Sequence, residues 1–596
     1  MGRIPNLLLA AGYLAVAAAV VVARRSPATG YEPSIYTATP TGTWIALGIG
    51  LSIALAVSVV CRDVHQAAGI VLGGFAVTTV VSLPIVRGYY FHGKGDALTH
   101  LGWVRDFVGG TMAPHELFYP GLHSVASMFV LVAGVEPQHA LMAAVVVFFV
   151  PFVVFVPLVV RLITDNPVAV GFGAIIAWLV LPVNNIATHM GAHSNSNALF
   201  FVPVFAFAVL AYLTRRSSDE RLPFGLSPYG ALIVLSGLGL LLIHPQQMVN
   251  AVILLGAISA VQLVARRRYD EHPVLEHPTI HVYSVVMAVT FAAWAFANER
   301  FRNALGGLIY GLLTADIGTG EEVGQRGASL TEIGGSLPEL FAKLFLVSAV
   351  LALVVGSYIL VVWAGRSRAS PGSRALVSYL AVALIPLGGL FVVYFMGTPT
   401  MAFRQIGFIF VVVTILAGVA LGAFVGWFDR FAPTVAVSGI IAVALAVCLV
   451  VAMLTVFGSP FIYNPTQHVS EQTYHGYETA ITGGTDHPYA GYGYTTYRYN
   501  DAIYGVETMT DEQAAIMWPG EGVIEMDAFN DGDYGDAYPG DGPYFLIGSE
   551  FDTVREHEIY HELNYQSVSL ESLEDEVGSA RYVSNPEVFV YEIRDH

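Results

Sequence analysis

The chain has 596 residues, 55% of them apolar and only 12% charged, and its mean hydropathy is +0.62. This excludes an ordinary soluble multidomain protein and fits a chain solvated mostly by lipid. The net charge of −18 sits at one end: from Gly458 onward there are 26 acidic and 4 basic residues, against 19 acidic and 23 basic before it. So negative a tail repels nucleic acid and excludes it as a partner, and with Lys94 and Lys343 the only lysines, the balance suits a very salty medium, as in a halophile.

In chain order, Met1-Gly2-Arg3 precedes an apolar run to Val22, read as an uncleaved span rather than a signal peptide because Arg24-Arg25 follows directly. Further runs lie at 43–60, 66–86, 139–161, 168–188, 197–213, 229–243, 246–264, 281–297, 340–363, 376–396, 404–426 and 433–457. With 5–23 that makes thirteen, each about the 20 residues a helix needs to cross the hydrocarbon. Cys61 and Cys448 fall in or beside these runs, so there is no disulfide framework or thiolate metal site. The expected architecture is an all-α polytopic membrane domain, 1–457, with an acidic α+β extracytoplasmic domain at 458–596.

If the spans alternate, Arg62, Arg161, Arg215-Arg216-Arg221, Arg266-Arg267-Arg268, Arg366-Arg368-Arg374 and Arg430 share one side, which is then the cytoplasm. Arg24-Arg25 dissents. The N-terminus is placed in the cytoplasm, the acidic domain outside the cell, and loops 87–138, 189–197 and 298–339 outside as well. The last is Gly-rich, its acids being Glu321-Glu322 and Glu332 beside Thr331.

Loop 87–138 carries the strongest signal. Asp96, His100, Trp103 and Phe107 recur at i, i+4, i+7 and i+11, one face of an amphipathic helix. Pro120 in Tyr119-Pro120-Gly121-Leu122-His123 restarts a helix. His92, His115, His123, His189, His193 and His244 fall on the same side, near the membrane boundary, where ionisable groups are paired or functional. Asp96 suits a general base or a cation ligand, and equally an N-cap for a helix starting at Ala97. For any single histidine a structural role is the simpler reading. Met190 to Asn197 reads as a capping turn that also suits a sugar contact, and His244-Pro245-Gln246-Gln247 as a hairpin or a site wall. Arg404-Gln405 opens a span after Gly397-Thr398-Pro399-Thr400, placing a guanidinium where it snorkels to headgroups or holds a lipid phosphate. In the tail, Tyr489 to Tyr504 reads as loops, while 543–547 and 588–593 read as strands. P-loop, dinucleotide, HExxH and GxSxG motifs are absent.

With Asp96-Ala97-Leu98-Thr99-His100, then Arg105, then Phe118-Tyr119-Pro120-Gly121-Leu122-His123, the first large loop resembles that of the GT-C superfamily of multi-spanning glycosyltransferases. The motif covers residues 89–123; the layout covers most of the chain. The resemblance implies transfer of a sugar from a polyprenyl- or dolichyl-phosphate-linked donor to a glycan or glycoprotein acceptor on the outer face of the membrane. It implies Asp96 as the base or metal contact and Arg404 on the donor phosphate; beside these, the rim imidazoles give His100 as the catalytic partner of Asp96 and His123, His193 and His244 as further substrate contacts. A divalent cation, Mg or Mn, is the implied cofactor, although loop 189–197 lacks the second acid many members carry. A lipid or solute transporter or flippase, or a non-catalytic surface-assembly protein, is the alternative. Span centres almost bare of charge favour the enzyme.

Overall fold

Apolar runs with no water beside them satisfy their backbone polar groups internally, and this chain does so as helices. The computed structural model describes residues 3–594, apart from 181–183, 216–221, 223–226, 315–334, 398, 484–486, 494–495, 518–522, 539, 541 and 574–578. Arg216, Arg221, Glu321-Glu322 and Thr331-Glu332 lie outside the described residues.

The chain opens with α1 (Arg3–Arg24), α2 (Thr41–Val60) and α3 (Asp63–Val81). Strand β1 (Phe91–His92) leads into α4 (Asp96–Gly109) and α5 (Gly121–Ala133). Next come α6 (Pro137–Ile163), α7 (Pro167–Trp178), α8 (Ser194–Thr214), α9 (Pro228–Ile243), α10 (Pro245–Arg268) and α11 (His281–Ala297). The bundle closes with α12 (Leu346–Trp363), α13 (Pro371–Gly397), α14 (Pro399–Phe428) and α15 (Thr434–Met453). Among the described residues, ten helices are long and apolar enough to cross a membrane, or eleven if α11 and residues 301–307, bent by 99°, count as one span.

Each of the thirteen expected runs holds a helix, but thirteen crossings overstates the number. Helix α7 has 12 residues and α9 has 16. At 1.5 Å per residue these reach ~18 and ~24 Å, short of the ~30 Å hydrocarbon core. Helix α7 is instead packed inside the bundle: Trp178 is fully buried, and Gly73 of α3 lies so close beneath its indole that a Cβ there would strike the ring.

After α15 the chain turns back over the end of the bundle. Strand β2 (His468–Val469) pairs antiparallel with β1, His92 opposite His468. Helix α16 (Glu471–Thr482) follows, then β3 (Tyr489–Gly491) and α17 (Arg498–Tyr504). The expected loops over 489–504 are thus partly a strand and a helix. Strands β4 (Tyr544–Ser549), β5 (Ser579–Ser584) and β6 (Val588–Ile593) join β3 in a mixed sheet ordered β3-β4-β6-β5, with β3 parallel to β4 and the other pairs antiparallel.

The apolar core is continuous from the spans into this region, taking in Val469, Tyr474, Tyr477, Phe545 and Val588. A second cluster around Tyr492, Phe529, Tyr544 and Leu546 fills the other side of the sheet. Not every acid is surface: Asp552, Glu556 and Glu587 are buried. Glu587 accepts from Tyr31 N at 2.7 Å and Thr473 Oγ1 at 2.8 Å, and also pairs with Ser470 Oγ, tying the α1–α2 link to the tail.

The β1–β2 junction holds two buried imidazoles. His468 stacks on Tyr89 at 3.7 Å, His92 meets Phe457 edge-on at 5.2 Å, and Arg87 and Tyr31 complete the surroundings. Burial holds His92 down to about 4; burial, then His92 and Arg87, hold His468 down to about 3. The unfolded chain takes up these protons near pH 6.5 and the folded chain does not, so stability present at neutral pH is lost as pH falls through that window. By pH 5 the loss is roughly 2 kcal/mol per histidine. Thermal unfolding between pH 7 and 4.5 should show a steadily falling midpoint, flattened in His468→Gln.

Candidate functional site

Helix α4 begins at Asp96, with Gly95 at the capping position in a left-handed conformation (φ +59°). Asp96 therefore does not cap a helix starting at Ala97; it occupies the first turn. Nor does it lie among the buried imidazoles. Its side chain is 63% exposed and pairs with Arg498 of α17, Nη2 to Oδ1 at 3.1 Å.

The rest of the expected face behaves as its spacing implies. His100 is buried, its Nδ1 2.7 Å from Nε2 of the fully buried His123 on α5. Trp103 and Phe107 meet His123 edge-on at 5.4 and 5.9 Å. Tyr119 extends the cluster to His244, its ring 5.7 Å away. Close packing of α5 on α9 permits this, since Gly121 has the Ile243 backbone 3.0 Å from where a Cβ would stand. His244 sits between α9 and α10, so the His244-Pro245 break is the joint of a helical hairpin.

His193 provides the second arm. It caps α8, with Nδ1 accepting from Ser196 N at 3.3 Å, and its ring meets His189 at 5.0 Å. Behind it is a carboxamide network: Gln247 Nε2 donates to Asn195 Oδ1 at 2.6 Å, and Asn250 Nδ2 to Gln247 Oε1 at 3.0 Å. Gln246 Nε2 reaches the Met401 carbonyl at 3.3 Å, joining α10 to the start of α14.

Arg404 lies in the second turn of α14, which starts at Pro399 rather than at Arg404 itself. Among the described residues it pairs with no carboxylate; its one hydrogen bond is a 3.8 Å contact to Met401 Sδ. Burial, then the Arg404 guanidinium, hold His189 down to about 4 and His244 to about 3. Burial, then His189, Arg404, His100 and His244, push His193 far below the usual imidazole range. Arg404 is thus a half-buried cation beside His189, His193 and His244, imidazoles whose affinity for a proton is lowered. His115 is exposed and outside it. Among the described residues no three His, Cys, Asp or Glu side chains meet in a way that could hold a metal ion.

Sequence reasoning missed how the tail completes this end of the bundle. Asp106, fully buried on α4, accepts from Val506 N, Glu507 N and Thr508 N at 2.8, 2.9 and 3.2 Å and from Thr508 Oγ1 at 2.7 Å. Gly505 (φ +89°) makes the wrap possible, because a Cβ there would strike the Asp106 carboxylate. Thr99 donates to Asp501 Oδ2 at 2.5 Å, and Arg105 to Tyr474 OH at 2.8 Å. Lys94 places Nζ 3.4 Å from Asp552 Oδ1 and 3.7 Å from the Phe551 ring centre; burial pushes it down to about 8. The only sequence cue was Asp106 beside the apolar Phe107 and Val108.

Among the described residues, ten or eleven helices or helix pairs long and apolar enough to cross a membrane define a multi-pass membrane protein. The chain belongs to the family described as "Family of unknown function (DUF6541)", whose model matches residues 2–491. No curated protein matches the sequence. Among solved structures it is similar to the archaeal oligosaccharyltransferase AglB from Archaeoglobus fulgidus, in complex with an inhibitory peptide and a dolichol-phosphate: 12% identity and a TM-score of 0.46, covering 89% of this chain and 74% of that one. It is also similar to ArnT from Cupriavidus metallidurans bound to undecaprenyl phosphate, at 14% identity and a TM-score of 0.46, covering 88% and 98%.

Proposed function

We propose that the protein is a membrane glycosyltransferase moving a sugar from a dolichyl- or polyprenyl-phosphate donor to a glycan or protein acceptor on the exterior face. In this reading residues 1–457 are the membrane domain, 458–596 lie outside the cell, and the basic loops face the cytoplasm. The observation that carries it is Arg404: a guanidinium at a span end, unpaired with any described carboxylate, among imidazoles held neutral. Such a group takes an anion, and at headgroup depth the anion is a lipid phosphate. Arg404 holds the donor phosphate, with the half-buried His193 and His244 beside the sugar and the fully buried His123 behind them, bonded to His100. Asp96 takes the acceptor hydroxyl proton as the acceptor oxygen bonds to the anomeric carbon. The bond from that carbon to the phosphate oxygen breaks, and the lipid phosphate leaves with the bonding pair. His100, already bonded to His123, orients the acceptor one turn from Asp96.

The test is dolichyl-phosphate binding to purified protein in nanodiscs. Arg404→Gln should weaken it roughly 10- to 100-fold, the value of a charge-assisted hydrogen bond, with Arg404→Lys between. Equal binding by Arg404→Gln removes the reading. Lipid movement across the bilayer without sugar transfer would replace it with a flippase.

A further inference from the structure

We infer that Arg498, contributed by the C-terminal region, is the positioning residue for Asp96, so that the site is complete only when that region is docked on α4. This rests on the transferase reading and adds a residue to it.

An exposed ion pair is ordinarily weak, because two mobile side chains lose freedom in forming it. Arg498 differs in being anchored from behind. Its Nη1 donates to Thr99 Oγ1 at 2.9 Å and lies 3.5 Å from Asp501 Oδ2, and its guanidinium stacks 4.7 Å from the centre of the Tyr497 ring. Thr99 and Asp501 are themselves joined at 2.5 Å, so α4 and α17 hold the guanidinium between them. Gly102 allows that contact, since a Cβ there would strike the Asp501 carbonyl. The second arm, Nη2, is then presented to Asp96 Oδ1.

Among the described residues Asp96 Oδ2 has no partner. One oxygen thus faces a cation anchored from behind and the other is left for the acceptor proton, as an oriented base requires. Arg498 touches no reacting atom; it acts through Asp96.

The experiment uses full-length variants in membranes of a deletion strain, with dolichyl-phosphate mannose and glucose as donor probes at varied concentration. Arg498→Ala should lower kcat about 10- to 100-fold with donor KM unchanged, as misplacement of a reacting group does. Arg498→Lys should recover most of the rate, and Arg498→Gln, which preserves bulk, should match Arg498→Ala. With rates normalised to folded protein, a purely structural pair would leave kcat per folded molecule unchanged. If Asp96→Asn abolishes transfer while both Arg498→Ala and Arg498→Gln keep the wild-type kcat, this inference falls and the transferase reading stands. If Asp96→Asn itself keeps full transfer, the reading falls and takes the inference with it.

Discussion

Asp96→Asn is expected to lower sugar transfer by roughly 10²- to 10⁴-fold, the range that a general base contributes. The carboxamide has the size of the carboxylate and leaves an oxygen facing Arg498, so the first turn of α4 keeps its shape. What disappears is the ability to take a proton. Because the side chain is 63% exposed, the weakened ion pair should cost about 1 kcal/mol or less of stability. The variant should therefore express and unfold like the wild type in a membrane assay that detects no product. Full transfer by Asp96→Asn would leave the proposed chemistry without a base.

Asp106→Ala should behave in the opposite way, acting on the fold. The native carboxylate satisfies three backbone N–H groups of 506–508 and the Thr508 hydroxyl from a fully buried position. Truncation strands these donors at the α4 interface, a loss of about 3–5 kcal/mol for a broken buried charged network. Pulse proteolysis in detergent should show residues 498–510 cleaved at far lower denaturant than in the wild type. A wild-type cleavage profile would mean that the wrap around Asp106 contributes little to holding the tail in place. Asp96 and Asp106, ten residues apart on one helix, thus separate loss of chemistry from loss of structure.

The bundle was legible because hydropathy reads directly as lipid contact: each apolar run holds a helix. Span length was less legible. Residues 168–188 look as apolar as a crossing, yet α7 stops at Trp178, and nothing local separates an apolar run buried in protein from one facing lipid. The imidazole face on α4 followed from 3.6-residue periodicity, and His100 and His123 do meet. Asp96 shares that spacing but not that environment, because helix phase tells which way a residue points and not what lies opposite. The 489–504 stretch misled for a related reason. Its glycines and tyrosines carry turn propensity, and the strand at Tyr489–Gly491 exists through parallel pairing with Phe545–Ile547, more than fifty positions on. Arg498 belongs to no motif and gains meaning only from a partner some four hundred residues upstream.

That separation bears on biogenesis. Strand β1 and helix α4 leave the ribosome hundreds of residues before β2 and α17, so the first large loop waits through most of translation without the strand and donors that will secure it. Until the last quarter of the polypeptide arrives, Asp106 lacks its Val506–Thr508 donors and His92 its strand partner His468. The contacts that join the first large loop to the C-terminal region therefore form late, after the described spans have been synthesised.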